Sequence, residues 1–327
     1  MIITIVKCFM ELFQSIWQPL VFLLLSMAIL VWGADKFVNY SSLLSKKLGI
    51  NELTIGLTVV AFGTSAPEIF VGISSVLNES ESIAMGAIVG SNISNIALIF
   101  GIACFSLREQ INDSLINLLP FVISVVWLGI ALFNGKINHI EAIVFIGILG
   151  LFLFTLFKSN DLNEKNIQNQ ASSILKDIFW LSIGLIGLIF GSHLSVTHAE
   201  NIAVILGVPE MIIGLTILAL GTSLPELAAS VAALVKKKAQ MVVGNIIGSN
   251  IFNLVFVVPM IGFFSTLTLE DTIFVRDFLV LALLSTAFLA AIMVLKFTSF
   301  KGWVMKFFGL TFVGSYIAYI MLLSGLI

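Results

Sequence analysis

Glu68 and Glu226 lie 158 residues apart, and each closes the same short peptide, Gly-Thr-Ser-x-Pro-Glu. Long apolar runs surround both. In such surroundings a carboxylate is expensive: insertion scales give on the order of 2.5–3.5 kcal/mol for a charge at the centre of a bilayer helix, so these residues mark ion or proton pathways. Thr64 precedes Glu68 by four positions and Ser65 by three, spacings that share one helical face; Thr222 and Ser223 repeat the arrangement before Glu226. Pro67 and Pro225 each remove an amide N–H and crowd the preceding turn, which opens a helix. Gly63 and Gly221 ease the break. Freed carbonyls are expected near Ala61 and Phe62, and near Ala219 and Leu220. Backbone of this kind is tolerated at membrane depth only when buried in protein or lining a cavity, and a hard cation is one partner for it.

A second pair of motifs supplies amides. Gly86 to Asn95 reads GAIVGSNISN and Gly244 to Asn253 reads GNIIGSNIFN, again 158 residues apart. Ser91 and Asn95 share a face, as do Ser249 and Asn253. Asn95 and Asn253 are expected as ligands, whereas Asn92 and Asn250 suit helix breaks as well as ions. Gly86, Gly90, Gly244 and Gly248 form small-xxx-small ridges for close helix packing. The donor set is carboxylate, hydroxyl, amide oxygen and carbonyl, which suits a hard cation such as Ca²⁺ with roughly 6–8 oxygens and not zinc or copper. Two carboxylates balance one Ca²⁺, two Na⁺ or two H⁺. A site taking one divalent or several monovalent ions, but not both together, is an exchanger, and protons should compete with metal.

These residues need a frame. Of 327 residues, 59% are hydrophobic and 10% charged, and mean hydropathy is +1.13. A water-soluble chain of this length cannot bury so much apolar surface. A crossing takes roughly 20 apolar residues, and the pattern predicts an all-α polytopic membrane protein with spans over 17–45, 52–78, 82–106, 114–134, 138–157, 174–203, 210–235, 240–265, 273–296 and 302–325. A polar linker, 158–173, separates residues 1–157 from 174–327. The halves repeat: ELTIGLTVVAFGTSAPE from Glu52 matches EMIIGLTILALGTSLPE from Glu210 at eleven of seventeen positions. Gly33 and Gly49 align with Gly191 and Gly207. With five spans per half, the second repeat enters the membrane from the opposite side, which predicts two inverted repeats with a site at their interface near the midplane.

Lysine and arginine collect in the loops of one side, at Lys46, Lys47, Arg108, Lys158, Lys165, Lys176, Lys236 to Lys238, Lys296 and Lys301. The other side has Lys7, Lys136 and Arg276. The crowded side is expected to be cytoplasmic, which puts both termini outside. The loop near Val208 lacks the lysines of Lys46–Lys47, as inversion requires. The net charge of -2 is close to neutral, and no nucleic-acid partner is expected. Cys8 and Cys104 read as small buried hydrophobes, and the N-terminus as a lead-in to the first span. His193 and His198 have no histidine counterparts at Asp35 and Tyr40 and read as structural or as lying at an aqueous edge. Glu52 and Glu210 each begin a span, where a carboxylate stabilises a helix N-terminus.

At these motifs the chain resembles the cation/Ca²⁺ exchanger superfamily, particularly its prokaryotic Na⁺/Ca²⁺ exchanger branch. The resemblance covers nearly the whole chain, and GTSAPE with GTSLPE, each followed by a GSN segment, is highly specific. It implies ten transmembrane helices with both ends outside. It implies ion ligands at Glu68 and Glu226, the hydroxyls of Thr64, Ser65, Thr222 and Ser223, the carbonyls of Ala61 and Ala219, and Ser91, Ser249, Asn95 and Asn253. Some members carry Asp where this chain has Asn253, so one formal negative charge fewer is expected at the centre. The first span of each repeat, 17–45 and 174–203, is the gating element in that family.

The leading reading is therefore a Na⁺/Ca²⁺ antiporter of the plasma membrane that exports Ca²⁺ on the Na⁺ gradient, with a monomer as the working expectation. A H⁺- or K⁺-coupled exchanger would use the same residues. A cation channel lined by acidic side chains and a non-transporting sensor are the readings from other classes. No nucleophile–base pair or nucleotide-binding loop is present, so neither an enzyme nor a bound cofactor is expected.

Overall fold

The computed structural model describes residues 2–78, 81–107, 115–133, 137–159, 171–208, 219–264, 273–297 and 301–324, and they are almost entirely helical. Helix α1 (Ile2–Leu48) is followed by a bent pair, α2 (Glu52–Thr64) and α3 (Ala66–Leu77), then α4 (81–104), α5 (Leu119–Phe133) and α6 (His139–Ser159). After the linker come α7 (Ala171–Ile205), α8 (Ala219–Thr222), α9 (Leu224–Val235), α10 (Ala239–Phe264), α11 (273–297) and α12 (Lys301–Leu323). Eight described helices are long and apolar enough to cross a membrane, and the pair α2–α3 makes a ninth span bent by 49°. The expected span 210–235 is represented by α8 and α9; its first part, with Glu210, lies outside the described residues, as does most of the linker.

Burial sorts the helices into a centre and a rim. Within their apolar windows α4 is 78% buried and α10 83%, whereas α1 is 17% and α7 22% buried. The amide motifs thus ride on the two most enclosed helices. An aromatic cluster fixes α4 against its neighbours: Phe100 meets Phe288 at 4.6 Å and Phe312 at 5.6 Å between ring centroids, and Phe121 meets Phe288 at 5.7 Å. Edge-to-face contacts of this kind fix ring orientation as well as burying area.

Helices α1 and α7 form an antiparallel pair outside this centre. Their partners run in opposite order, from Phe22–His198 through Ser26–Ser195 and Tyr40–Trp180 to Lys47–Asp177. The aligned glycines make the approach possible. A β-carbon on Gly191 would stand 2.5 Å from the Leu30 amide nitrogen, and one on Gly33 would stand 2.6 Å from the Gly187 carbonyl carbon. Both helices end in the same way: Gly49 and Gly207 take φ of 67° and 73°, the left-handed geometry that closes a helix at little steric cost for glycine.

Both helices also exceed the expected spans. Helix α1 begins at Ile2, well before residue 17, because residues 2–16 contain no proline or glycine and extending an existing helix costs little. The apolar part, Ser15–Leu48, has 34 residues and is about 51 Å long at 1.5 Å per residue. That is well over a hydrocarbon core of ~30 Å, so the helix lies oblique to the membrane or reaches beyond it. Three lysine-bearing ends gather on one side, where Lys47 pairs with Asp177, Lys238 with Glu52, and Lys236 with Asp35 at 2.6 Å. Glu52 does sit in the first turn of α2, beside the Asn51 cap, but it also makes this interhelical ion pair.

Candidate ion-binding site

The prolines break their helices as their chemistry requires. Ser65 separates α2 from α3 with φ, ψ of −81°, 0°, and Ser223 separates α8 from α9 at −88°, 5°. The two breaks share one backbone conformation. Glu68 and Glu226 fall in the first turn of the helix that restarts, where the unpaired N–H groups favour a negative charge. The Ala61 carbonyl keeps its helical partner, accepting from the Ser65 N–H at 3.0 Å, and the hydroxyls of Thr64 and Ser249 approach it at 3.4 and 3.5 Å. The carbonyl deprived by each proline lies four residues back, at Gly63 and Gly221. Ser192 of α7 donates to the Gly221 carbonyl at 3.2 Å.

The breaks bring the carboxyl groups together. Glu68 is 3% exposed and Glu226 1%, and the two interact electrostatically across the join between the halves of the chain. Ser65 Oγ donates to Glu226 Oε1 at 2.9 Å, and Thr64 also lies within interaction range of Glu226. Ser91, Asn95, Ser223, Ser249 and Asn253 are buried too. Thr222 is half-buried, and Ala219 opens α8. A ladder of amides joins α4 to α10: Asn253 Nδ2 donates to Asn92 Oδ1 at 3.1 Å, and Asn92 Nδ2 donates to the Asn250 carbonyl at 3.2 Å. Asn250 Nδ2 bonds back to the Ile246 carbonyl at 2.7 Å.

Several oxygens of this set have no hydrogen-bond donor among the described residues. They are both oxygens of Glu68, Oε2 of Glu226, Oγ of Ser223, and Oδ1 of Asn95 and Asn253. Buried polar atoms are normally paired, because an unpaired one forfeits its hydration. Bare buried oxygens of carboxylate, hydroxyl and amide groups are what a dehydrated hard cation offsets. Among the described residues no three His, Cys, Asp or Glu side chains cluster, and His198 stacks on Phe22 with ring centroids 5.3 Å apart. Cys104 is buried and not disulfide-bonded; the side chain of Cys8 lies outside those described.

With this geometry in view, comparison with known proteins is decisive. The family model described as sodium/calcium exchanger protein matches residues 18–158 and 176–325. The chain belongs to the sodium/calcium exchanger family. Inner membrane protein YrbG of Escherichia coli is 33% identical over 279 residues, covering 81% of this exchanger and 86% of the relative. Sodium/calcium exchanger MaX1 of Methanosarcina acetivorans is 30% identical over 298 residues, covering 76% and 84%. Among solved structures, the sodium-calcium exchanger NCX_Mj soaked with Na⁺ and Sr²⁺ superposes with a TM-score of 0.80 at 29% identity, covering 93% of this chain and 98% of that one.

Two polar side chains of this exchanger's site escaped the sequence reading. Asn245 accepts from Thr64 Oγ1 at 3.2 Å and donates to Ser230 Oγ at 3.1 Å. The signal lay in the motif itself: where the first copy has Ala87, the second has Asn245. The glycine ridges divide. A β-carbon on Gly248 would lie 2.5 Å from the Leu57 carbonyl oxygen, and Gly244 packs against Leu53 and Leu57, so α10 rests on α2. Gly86 and Gly90 have no described residue so placed; the segment aligned with 53–57, residues 211–215, lies outside those described.

Proposed function

We propose that this exchanger carries Na⁺ and Ca²⁺ in opposite directions across the plasma membrane by alternating access to one site between two inverted halves, 1–157 and 174–327, joined by the linker 158–173. Each half contributes five spans, ten in all, with both termini outside and Ca²⁺ export as the working direction of a monomer. The site comprises Glu68, Glu226, Thr64, Ser65, Thr222, Ser223, Ser91, Ser249, Asn95 and Asn253, with the carbonyls of Ala61 and Ala219. The observation that carries the reading is the meeting of Glu68 and Glu226, from opposite halves, with three of their four oxygens left bare.

Inversion draws support from the antiparallel pairing of α1 with α7, the first helices of the two halves, and from their shared glycine contacts. The pair lies outside the enclosed centre and packs against α2 and α9, so it can slide across them without opening the core. When one face is open, ions reach the carboxylates from that side; when the pair moves, the pseudo-equivalent path opens on the other. Two carboxylates can neutralise one Ca²⁺ or two Na⁺ but cannot hold both loads at once, which couples the fluxes.

Proteoliposomes loaded with Na⁺ and diluted into Na⁺-free buffer are expected to accumulate ⁴⁵Ca²⁺, and K⁺-loaded vesicles are not. Uptake driven by a pH gradient alone would move the protein to H⁺ coupling at the same site. Absence of coupled uptake in every arm would refute exchange.

A further inference from the structure

The two halves share their ligand residues, but the side chains behind them differ. In the second half Asn245 is 1% exposed and Ser230 2%, and they form a buried relay, Ser230–Asn245, that ends on Thr64, itself 0% exposed. At the equivalent positions, 158 residues earlier, stand Ala87 and Gly72, which have no polar side chain. Gly72 is packed instead against Val257. The relay thus acts on Thr64, and neither of its two members has a polar equivalent 158 residues earlier.

Its chemical effect follows from the single proton of a hydroxyl. Besides the Ala61 carbonyl of its own helix at 3.4 Å, Thr64 has two side-chain acceptors within reach, Asn245 Oδ1 at 3.2 Å and the Glu226 carboxyl group. A second proton given to Glu226, beside the one with which Ser65 orients it, would occupy a further carboxylate lone pair and present its positive end to any arriving cation. A proton given to Asn245 leaves that further lone pair of Glu226 free for a cation and turns the Thr64 oxygen's lone pairs away from Asn245. The Ser230 hydroxyl, accepting from Nδ2, holds the amide with its oxygen toward Thr64.

We propose that Asn245, backed by Ser230, is a positioning residue for cation binding, drawing the Thr64 hydroxyl proton away from Glu226. The inference rests on the assignment of the Glu68–Glu226 site.

The test is a double-mutant cycle read by ion binding, without transport. Purified protein is titrated with Ca²⁺ and separately with Na⁺, and the ion-dependent rise in unfolding temperature gives the half-saturating concentration. For Asn245→Ala that concentration is expected to rise about fivefold to tenfold for at least one ion, the scale of one buried hydrogen bond. In a Thr64→Val background, Asn245→Ala is expected to change it less than twofold, since the hydroxyl it acts on is gone. Equal weakening in both backgrounds would show a packing role and overturn the proposal, as would no change in the Thr64 background. Should Asn245→Ala not fold, Ser230→Ala reads the same relay from its far end, with a smaller shift that again vanishes with Thr64→Val; a shift that persists there overturns the proposal. Wild-type protein stabilised by neither ion would refute the site itself and this inference with it, whereas stabilisation lost in Glu226→Gln but unaffected by Asn245→Ala would refute this inference alone.

Discussion

Ser65 and Glu226, 161 residues apart, are joined by a 2.9 Å hydrogen bond between two helix breaks of the same shape. The reciprocal contact is absent among the described residues, where Ser223 Oγ and both oxygens of Glu68 have no hydrogen-bond partner. One carboxylate is tied by a hydroxyl of the opposite half and the other is not. A site with one tethered and one untethered carboxylate binds cations through groups of unequal freedom.

Removing the tether should weaken the site without destroying it. Ser65→Ala is expected to raise the Ca²⁺ concentration for half-maximal uptake by roughly tenfold, the scale of a hydrogen bond to a charged group. Maximal uptake should fall much less. Complete loss of uptake by folded protein would mean that Ser65 does more than orient Glu226.

Protons compete with metal for the same oxygens. Protonation of Glu68 or Glu226 removes the negative charge that attracts a cation, so Ca²⁺ uptake is expected to fall as the pH is lowered. Raising Ca²⁺ should restore it, because the competition is for one site. Initial rates measured across a pH series test this, and a flat profile down to about pH 5, close to the usual carboxylate range, would count against a carboxylate-centred mechanism.

Asn253→Asp adds a negative charge and removes a donor. Asn253 Nδ2 now donates to Asn92 Oδ1, whose own Nδ2 is committed to the Asn250 carbonyl. A carboxylate there faces an oxygen with nothing to share. The ion-free variant is expected to unfold roughly 2 °C lower than the parent, with the deficit reversed by saturating Ca²⁺. Thermal unfolding with and without Ca²⁺ distinguishes this from an unconditional loss of stability, which would place residue 253 outside the ion's reach.

The α1–α7 pair should move as one body. Ser26 and Ser195 lie with their hydroxyl oxygens 3.0 Å apart, so Ser26→Cys with Ser195→Cys is expected to cross-link under oxidation and keep transporting. Cysteines in place of Asp35 and Lys236, whose ion pair ties α1 to the end of α9, stand a lysine's length apart, so they should stop transport when bridged by a bifunctional thiol reagent of that length and not by direct oxidation. Arrest by the first pair would show that α1 and α7 slide past each other.

What was legible in the sequence was what local chemistry dictates. A proline within an apolar run must break its helix, and Ser65–Pro67 and Ser223–Pro225 do so with matching angles. The repeat also aligned Gly33 with Gly191, though not their packing: the structure sets Gly33 against α7 and Gly191 against α1, where a side chain would meet backbone. Tertiary pairing was not legible. Nothing local to Asn92 says that its amide will bridge α4 to α10, and Asn245 became informative only once Thr64 lay beside it. The start of α1 was missed for a different reason: hydrophobicity marks where a helix enters lipid, while helix extension continues until something stops it.

The most direct test of the central claim is Na⁺-driven ⁴⁵Ca²⁺ uptake by Glu68→Gln and Glu226→Gln beside the parent protein. Glutamine keeps the volume and one oxygen while removing the charge. Uptake is expected to be abolished in each variant while the protein remains folded. Uptake near the parental rate in either one would contradict a site built on both carboxylates.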